Sequence, residues 1–282
     1  MRNIITWSVL FILFVTGVDY VSSNDNELRE TLEKSWNEFV AATKSGQEAK
    51  LEQTMTSYRL GTIKNVLAST QQTLTPEFII EMAEFTPDIT TAEFVEVIEN
   101  GSTAGLVYGK EMDDPGTGSK QQVEYTFIKF VKEKSGWKVD GVSNTYKDKF
   151  QDDGSKTEFK RSDISPSFAI DGQVKKAPDP MSAPDIVGML DIFSYGYRTE
   201  VRVNGVQQRP TVDMSSSGTV DGGLKKGSNS ITIVMTSEGE GISHNPEVKI
   251  RRALQDNTIE EVFKFAPKDN IEGEHTFSFT VE

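Results

Sequence analysis

Any acid–base chemistry in this chain falls to carboxylates, phenols and indoles. Of its 282 residues none is cysteine and only two are histidine, His244 and His275. The first 150 residues therefore lack the commonest general base near neutral pH. Thiol catalysis and cysteine-held zinc are excluded. Asp140 is the most suggestive carboxylate, with Tyr125 on a neighbouring stretch and Tyr58 and Trp36 further upstream as hydrogen-bond donors. Other motifs fail on spacing. Gly222 to Ser228 lacks the Lys-Ser/Thr that ends a phosphate loop, and no Gly-x-Ser-x-Gly elbow occurs. Asp113-Asp114 and Asp152-Asp153 lack the alternating oxygen ligands of a calcium loop. No metal or other cofactor is expected.

The elements that must hold Asp140 follow from periodicity. Asn24 with Glu27 marks a helix start, and Leu28, Leu32, Trp36, Phe39 and Val40 lie on one helical face. Ser45-Gly46 ends that helix. A second carries Leu51, Met55 and Tyr58, resuming at Ile63, Val66 and Leu67 after an expected bend at Gly61. Thr75-Pro76-Glu77 starts a third, with Phe78, Ile79, Met82 and Phe85 as its buried face. Near Thr90 the period falls to two. Phe94–Ile98 and Ala104–Tyr108 flank the hairpin signal Asn100-Gly101, which with Ser102 also forms a glycosylation sequon. A loop from Met112 to Lys120 leads to a long strand, Val123–Val131, and Ser135-Gly136 turns the chain back through Trp137–Val142. If Trp137 and Val139 face the helices, strict alternation turns Asp140 away from them, as a surface carboxylate.

Three helices followed by a four-strand meander are an α+β layout. The segments 36–46 (Trp-Asn-Glu-Phe-Val-Ala-Ala-Thr-Lys-Ser-Gly) and 127–140 (Phe-Ile-Lys-Phe-Val-Lys-Glu-Lys-Ser-Gly-Trp-Lys-Val-Asp) resemble the opening helix and last hairpin of the NTF2-like (SnoaL-like) superfamily. The resemblance covers residues 24–150 and implies a curved sheet wrapped around helices as a cone. The superfamily includes isomerases, cyclases, dehydratases and many non-catalytic members, so the resemblance fixes no chemistry. Large, partly polar side chains converging from two helices and one strand predict a small apolar pocket in such a cone, with Trp36, Met55, Tyr58, Tyr125 and Phe127 as the candidate lining, Tyr125 and Phe127 being otherwise core aromatics. A homodimer across the open face of the sheet is a further expectation.

Outside that region, Arg2, the apolar run Ile4–Val15 and the small residues Val21-Ser22-Ser23 spell a secretory signal peptide over residues 1–23, cut near Ser23. The alternative is an uncleaved anchor. No cysteine follows the run, so a lipid anchor is excluded, and no stable membrane span is expected after cleavage. Residues 151–164 are charge-dense and read as a linker. From 165 to 282 nearly every segment alternates, which predicts a β-sandwich. Val201–Gly205 followed by Leu224–Ile233 resembles Ig-like and jelly-roll accessory domains, which bind glycans or proteins or act as spacers. Phe193, Tyr195, Tyr197, Thr199, Val201 and Val203 share one parity, so the two tyrosines read as core in preference to a sugar platform. His275 shares parity with Phe277 and Phe279.

The net charge of −13 is spread over both halves, which excludes nucleic acid and disfavours anionic membranes as partners. The composite expectation is an exported, non-catalytic binding or assembly protein whose partner is a small molecule, a glycan or a protein. An isomerase or dehydratase using Asp140 or a tyrosine is the runner-up. Surface adhesion through the sandwich is the third reading.

Overall fold

A computed structural model describes residues 23–112, 121–151, 154–212, 214–238, 246–254, 258–267 and 272–282. Of the expected leader, residues 1–22 lie outside the described residues and Ser23 opens the first helix; Asp113-Asp114, Asp152-Asp153 and His244 also lie outside them. Four helices come first: α1 (Ser23–Ser45), α2 (Glu48–Thr54), α3 (Ser57–Ser69) and α4 (Pro76–Glu84). They precede an antiparallel sheet of consecutive strands, β1 (Glu93–Asn100), β2 (Thr103–Glu111), β3 (Gln122–Glu133) and β4 (Gly136–Asp148). The fold is α+β.

The α1 stripe does what its spacing requires. Leu32, Trp36 and Phe39 bury against Ile128 and Phe130 of β3 and Ala104, Leu106 and Tyr108 of β2, with Leu51, Leu60 and Ile79 closing the layer. At α4 the Thr75 hydroxyl accepts from the Phe78 N–H at 3.2 Å, as the start signal predicts. Phe85 is a correction. It falls in the cap beyond α4 and is 85% exposed, because the helix stops one residue before completing its apolar stripe.

The expected second helix is two helices. It breaks at Met55-Thr56, which are extended, and Gly61 lies inside α3. Gly61 serves a different purpose: a Cβ there would come within 2.9 Å of Pro178 Cδ, so the glycine lets a later segment cross α3.

The second face of this sheet is covered by the chain itself. Ile98, Val107, Tyr125 and Phe127 form a separate cluster, packed by Phe159, Ile164, Phe168 and Ile170. Residues 151–164 read as a linker by their charge, yet their sparse apolar side chains all turn toward the sheet. Their charges stay at the rim, where Lys147 pairs with Asp163 at 2.5 Å and Arg161 with Glu96. A homodimer across that face would have to displace this segment.

Residues 188–281 form two further antiparallel sheets. One orders β12 (Ile259–Phe265), β11 (Glu247–Ala253), β5 (Gly188–Phe193) and β9 (Ser215–Thr219). The other orders β13 (Gly273–Val281), β10 (Gly227–Ser237), β6 (Tyr197–Val203) and β7 (Val206–Gln207), with β8 (Thr211–Val212) also on β6. Their inward side chains share one core, in which Leu190, Ile192, Val248 and Ile250 meet Val201, Ile231, Ile233 and Met235. Asn204-Gly205 makes the β6–β7 turn with φ of 50° and 82°, the doubly left-handed backbone that an Asn-Gly pair permits. Parity misleads at Tyr195. A turn at Ser194–Gly196 separates β5 from β6, so Tyr197 is buried while Phe193 and Tyr195 are exposed.

Candidate functional site

Asp140 sits where the sheet meets the α2–α3 break. The β3–β4 register pairs Lys129 with Gly141 and Phe130 with Val139, which leaves Asp140 as the extra residue of a β-bulge. A bulge re-aims the side chain it carries. Strict alternation therefore fails at this residue. Its carboxylate turns neither fully inward nor out to solvent, and its side chain is only 12% exposed.

Two extended residues from the helical layer close on this bulge. Met55 bridges Val139 in parallel, and the Thr56 N–H donates to the Val139 carbonyl at 3.0 Å. The Thr56 hydroxyl then serves two ends. It accepts from the Arg59 N–H at 3.1 Å, capping α3, and donates to Asp140 Oδ1 at 2.7 Å. Lys129 Nζ lies 3.9 Å from Asp140 Oδ2 and is itself buried. A second carboxylate supports the same helix start. Glu133 accepts from the Ser57 N–H at 2.8 Å and pairs with Lys138 at 3.2 Å. Burial alone would raise the Glu133 carboxyl, but the Ser57 N–H and Lys138 outweigh it and hold the carboxyl below its ordinary value.

Two hollows use Arg59 and Asp140 as walls. The first is a cavity of 230 Å³ between helices and sheet, with Phe39, Met55, Ile63, Met82 and Val142 as its apolar lining and Phe85 and Thr86 at its edge. The second is a larger cleft of 770 Å³ between α3 and the later sheets, reached by Tyr58, Lys175, Arg209 and residues 216–219. The Arg59 guanidinium has no partner among the described residues.

The five expected pocket residues do not converge. Met55 alone lines the first cavity. Trp36 is packed shut in the helix-side core, its ring 5.5 Å from that of Phe39. Tyr125 and Phe127 lie on the opposite face of β3, against Phe159 and Phe168. The Tyr125 hydroxyl donates to the Thr157 carbonyl at 3.1 Å, and burial pushes its pKa up. Tyr58 lines the cleft, with Lys175 Nζ 5.0 Å from its ring centroid. The physical reason is parity within β3, since Ile128 and Phe130 took the inward positions.

Arg59, Phe39 and Met82 escaped the sequence reading as site residues, as did a polar trio of buried Tyr108 and half-buried Arg29 and Glu33. There the Tyr108 hydroxyl donates to Glu33 Oε1 at 2.7 Å, and Arg29 pairs with Glu33 at 2.7 Å while lying 3.8 Å over the Phe94 ring. Burial and Glu33 together raise the Tyr108 phenol. The i,i+4 spacing of Arg29 and Glu33 beside the Leu32–Trp36 stripe was the available signal.

Chemically, the site offers an apolar hollow, an open guanidinium and a carboxylate already engaged by a hydroxyl and an ammonium. Among the described residues no three His, Cys, Asp or Glu side chains cluster as metal ligands. No helix among them is long and apolar enough to cross a membrane. Comparison with protein-family models, curated proteins and solved structures gives no match.

Proposed function

We propose that this chain is an exported, non-catalytic binding protein that seats a small, mostly apolar molecule with an anionic end. On this reading residues 24–150 form an NTF2-like unit and 165–282 an Ig-like or jelly-roll unit. The helix-on-meander order supports the first, and the shared core of the two later sheets supports the second. One observation carries the functional reading: Arg59, whose guanidinium has no partner among the described residues, lines the apolar cavity, while the one carboxylate in that lining is held by Thr56 and Lys129. A carboxylate so engaged braces the joint between α3 and the sheet. Arg59 is free to meet an anion, and Met55, Ile63 and Met82 to meet an alkyl or aryl body. At 230 Å³ the cavity is smaller than the roughly 300–1,000 Å³ of drug-sized pockets, which sets the guest at fragment size.

The test is calorimetric titration with hexanoate, octanoate and phenylacetate beside their methyl esters. Carboxylates bind and esters bind more weakly, and Arg59→Ala removes the difference. Equal weak binding of acids and esters, or none, ends the proposal. The enzymatic alternative draws on Asp140 reaching the cavity wall. It requires Asp140→Asn to abolish turnover of a small carbonyl substrate that the parent protein isomerises or dehydrates.

A further inference from the structure

The edge strand β9 carries an open backbone ladder. The bonds Val220 N–H to Gly188 carbonyl (2.8 Å) and Ser194 N–H to Met214 carbonyl (3.0 Å) flank its pairing with β5. With the register Gly218–Leu190 and Ser216–Ile192 between them, the even residues point their backbone groups at β5. Ser215, Ser217 and Thr219 therefore turn theirs outward, about 6.8 Å apart, the repeat of an extended chain. β9 stands at the end of its sheet. Among the described residues nothing pairs with that edge, and residues 216–219 form one wall of the 770 Å³ cleft.

The edge also lacks bulk. Ser216 and Gly218 pair with Ile192 and Leu190, and those two core side chains reach the cleft wall past them. A strand added beside β9 would lay alternate side chains over that apolar floor. The remaining walls carry three cations. Arg59, Lys175 and Arg209 face the cleft in a chain of net charge −13. The opposing carboxylates are Asp140, already held by Thr56, and Asp221, whose pKa burial shifts upward, so three cations face two acids in this lining.

We propose that the cleft between α3 and β9 binds an extended acidic peptide segment by strand addition to β9. This site is separate from the apolar cavity, with which it shares only Arg59 and Asp140 as walls. Backbone pairing to Ser217 and Thr219 supplies the hold, apolar residues at alternate positions fill the floor, and acidic residues meet the three cations.

The probe is a fluorescent, end-blocked decapeptide alternating Val and Glu, followed by anisotropy and by amide exchange at Ser217 and Thr219. Saturable binding with slowed exchange at both amides is expected. The same peptide N-methylated at every second residue fails to bind, and the Val/Lys version binds more weakly. Thr219→Pro, which removes an outward N–H and leaves the β5 ladder intact, weakens binding about tenfold, while Thr219→Val does not. Arg209→Glu, which lies outside the apolar cavity, weakens it about tenfold as well. Undiminished binding of the N-methylated peptide, or of an oligogalacturonate with no effect of Thr219→Pro, overturns strand addition in favour of a plain anion cleft. No binding of the Val/Glu peptide overturns it outright. Octanoate binding measured without peptide, and unchanged by Arg209→Glu, reports on the apolar cavity, so failure at one site is distinguished from failure at the other.

Discussion

Replacing Thr56 by valine is the sharpest probe of the joint between helices and sheet. Valine keeps the shape of the side chain, so the site, at 1% exposure, gains no cavity. What disappears is the hydroxyl, which accepts from the Arg59 N–H and donates to Asp140. Losing an N-cap costs about 1 kcal/mol. Losing a hydrogen bond to a buried carboxylate costs about 1.5–3 kcal/mol, since Lys129 at 3.9 Å is too distant to replace it. The expected total is about 2.5–4 kcal/mol. The assay is urea unfolding followed by tryptophan emission, because Trp36 and Trp137 both belong to the helix-side core and report on this joint. Thr56→Ser restores the hydroxyl and recovers most of the loss. A cycle with Asp140→Ala gives a coupling of about 1–3 kcal/mol. A loss below about 0.5 kcal/mol, or equal losses for valine and serine, refutes the two-ended role of this hydroxyl.

Two further outcomes follow from the packing and the charges. Gly105→Ala drives a methyl into the Phe127 ring on the covered face of the sheet and costs about 1–3 kcal/mol in the same unfolding assay; Phe127→Leu in the same chain recovers part of it. Glu133 titrates below its ordinary 4.5 in the folded chain, so its contribution is present above that value and is lost as pH falls through the lowered folded value. The urea midpoint accordingly drops on the acid side, and Glu133→Gln flattens that drop; an unchanged profile in the variant would remove Glu133 from the account.

Much of the architecture was legible because its elements bury one face each. Leu32, Trp36 and Phe39 announce α1 and Ile231, Ile233 and Met235 announce β10 by their periods, while Thr75-Pro76 announces α4 by its cap. Illegible features came from backbone events without a periodic trace. The break at Met55-Thr56 lies inside an unbroken apolar stripe, and only pairing with Val139 makes it favourable. Phe159, Ile164 and Phe168 are too sparse to form a pattern, so their place on the sheet emerges only when Tyr125 and Phe127 are found facing outward. Arg59 carries no sequence signal, because an exposed arginine on a helix is ordinary until both its neighbours are hollows.

The bulge ties these events together. Had β4 kept strict alternation past Val139, Asp140 would lie on the face covered by Phe168. Thr56 would then have no acceptor, and α3 would lose the carboxylate that its cap hydroxyl bonds. The extra residue instead brings the carboxylate to the helix break, and Gly141 beside it admits the Phe168 ring, which a Cβ would meet at 2.8 Å. One inserted residue thus sets the start of α3, and with it Arg59 between both hollows. Asn65 lies on the same helix, where its amide group bonds the Asp179 carbonyl and the Met181 N–H at 3.0 and 2.9 Å. Ser69 and Gln71 continue the contact to Gly222 and Pro184. The segment 179–184 and the later sheets therefore rest on the helix that the bulge positions, and a change at Asp140 reaches the cleft through α3 before it reaches any guest.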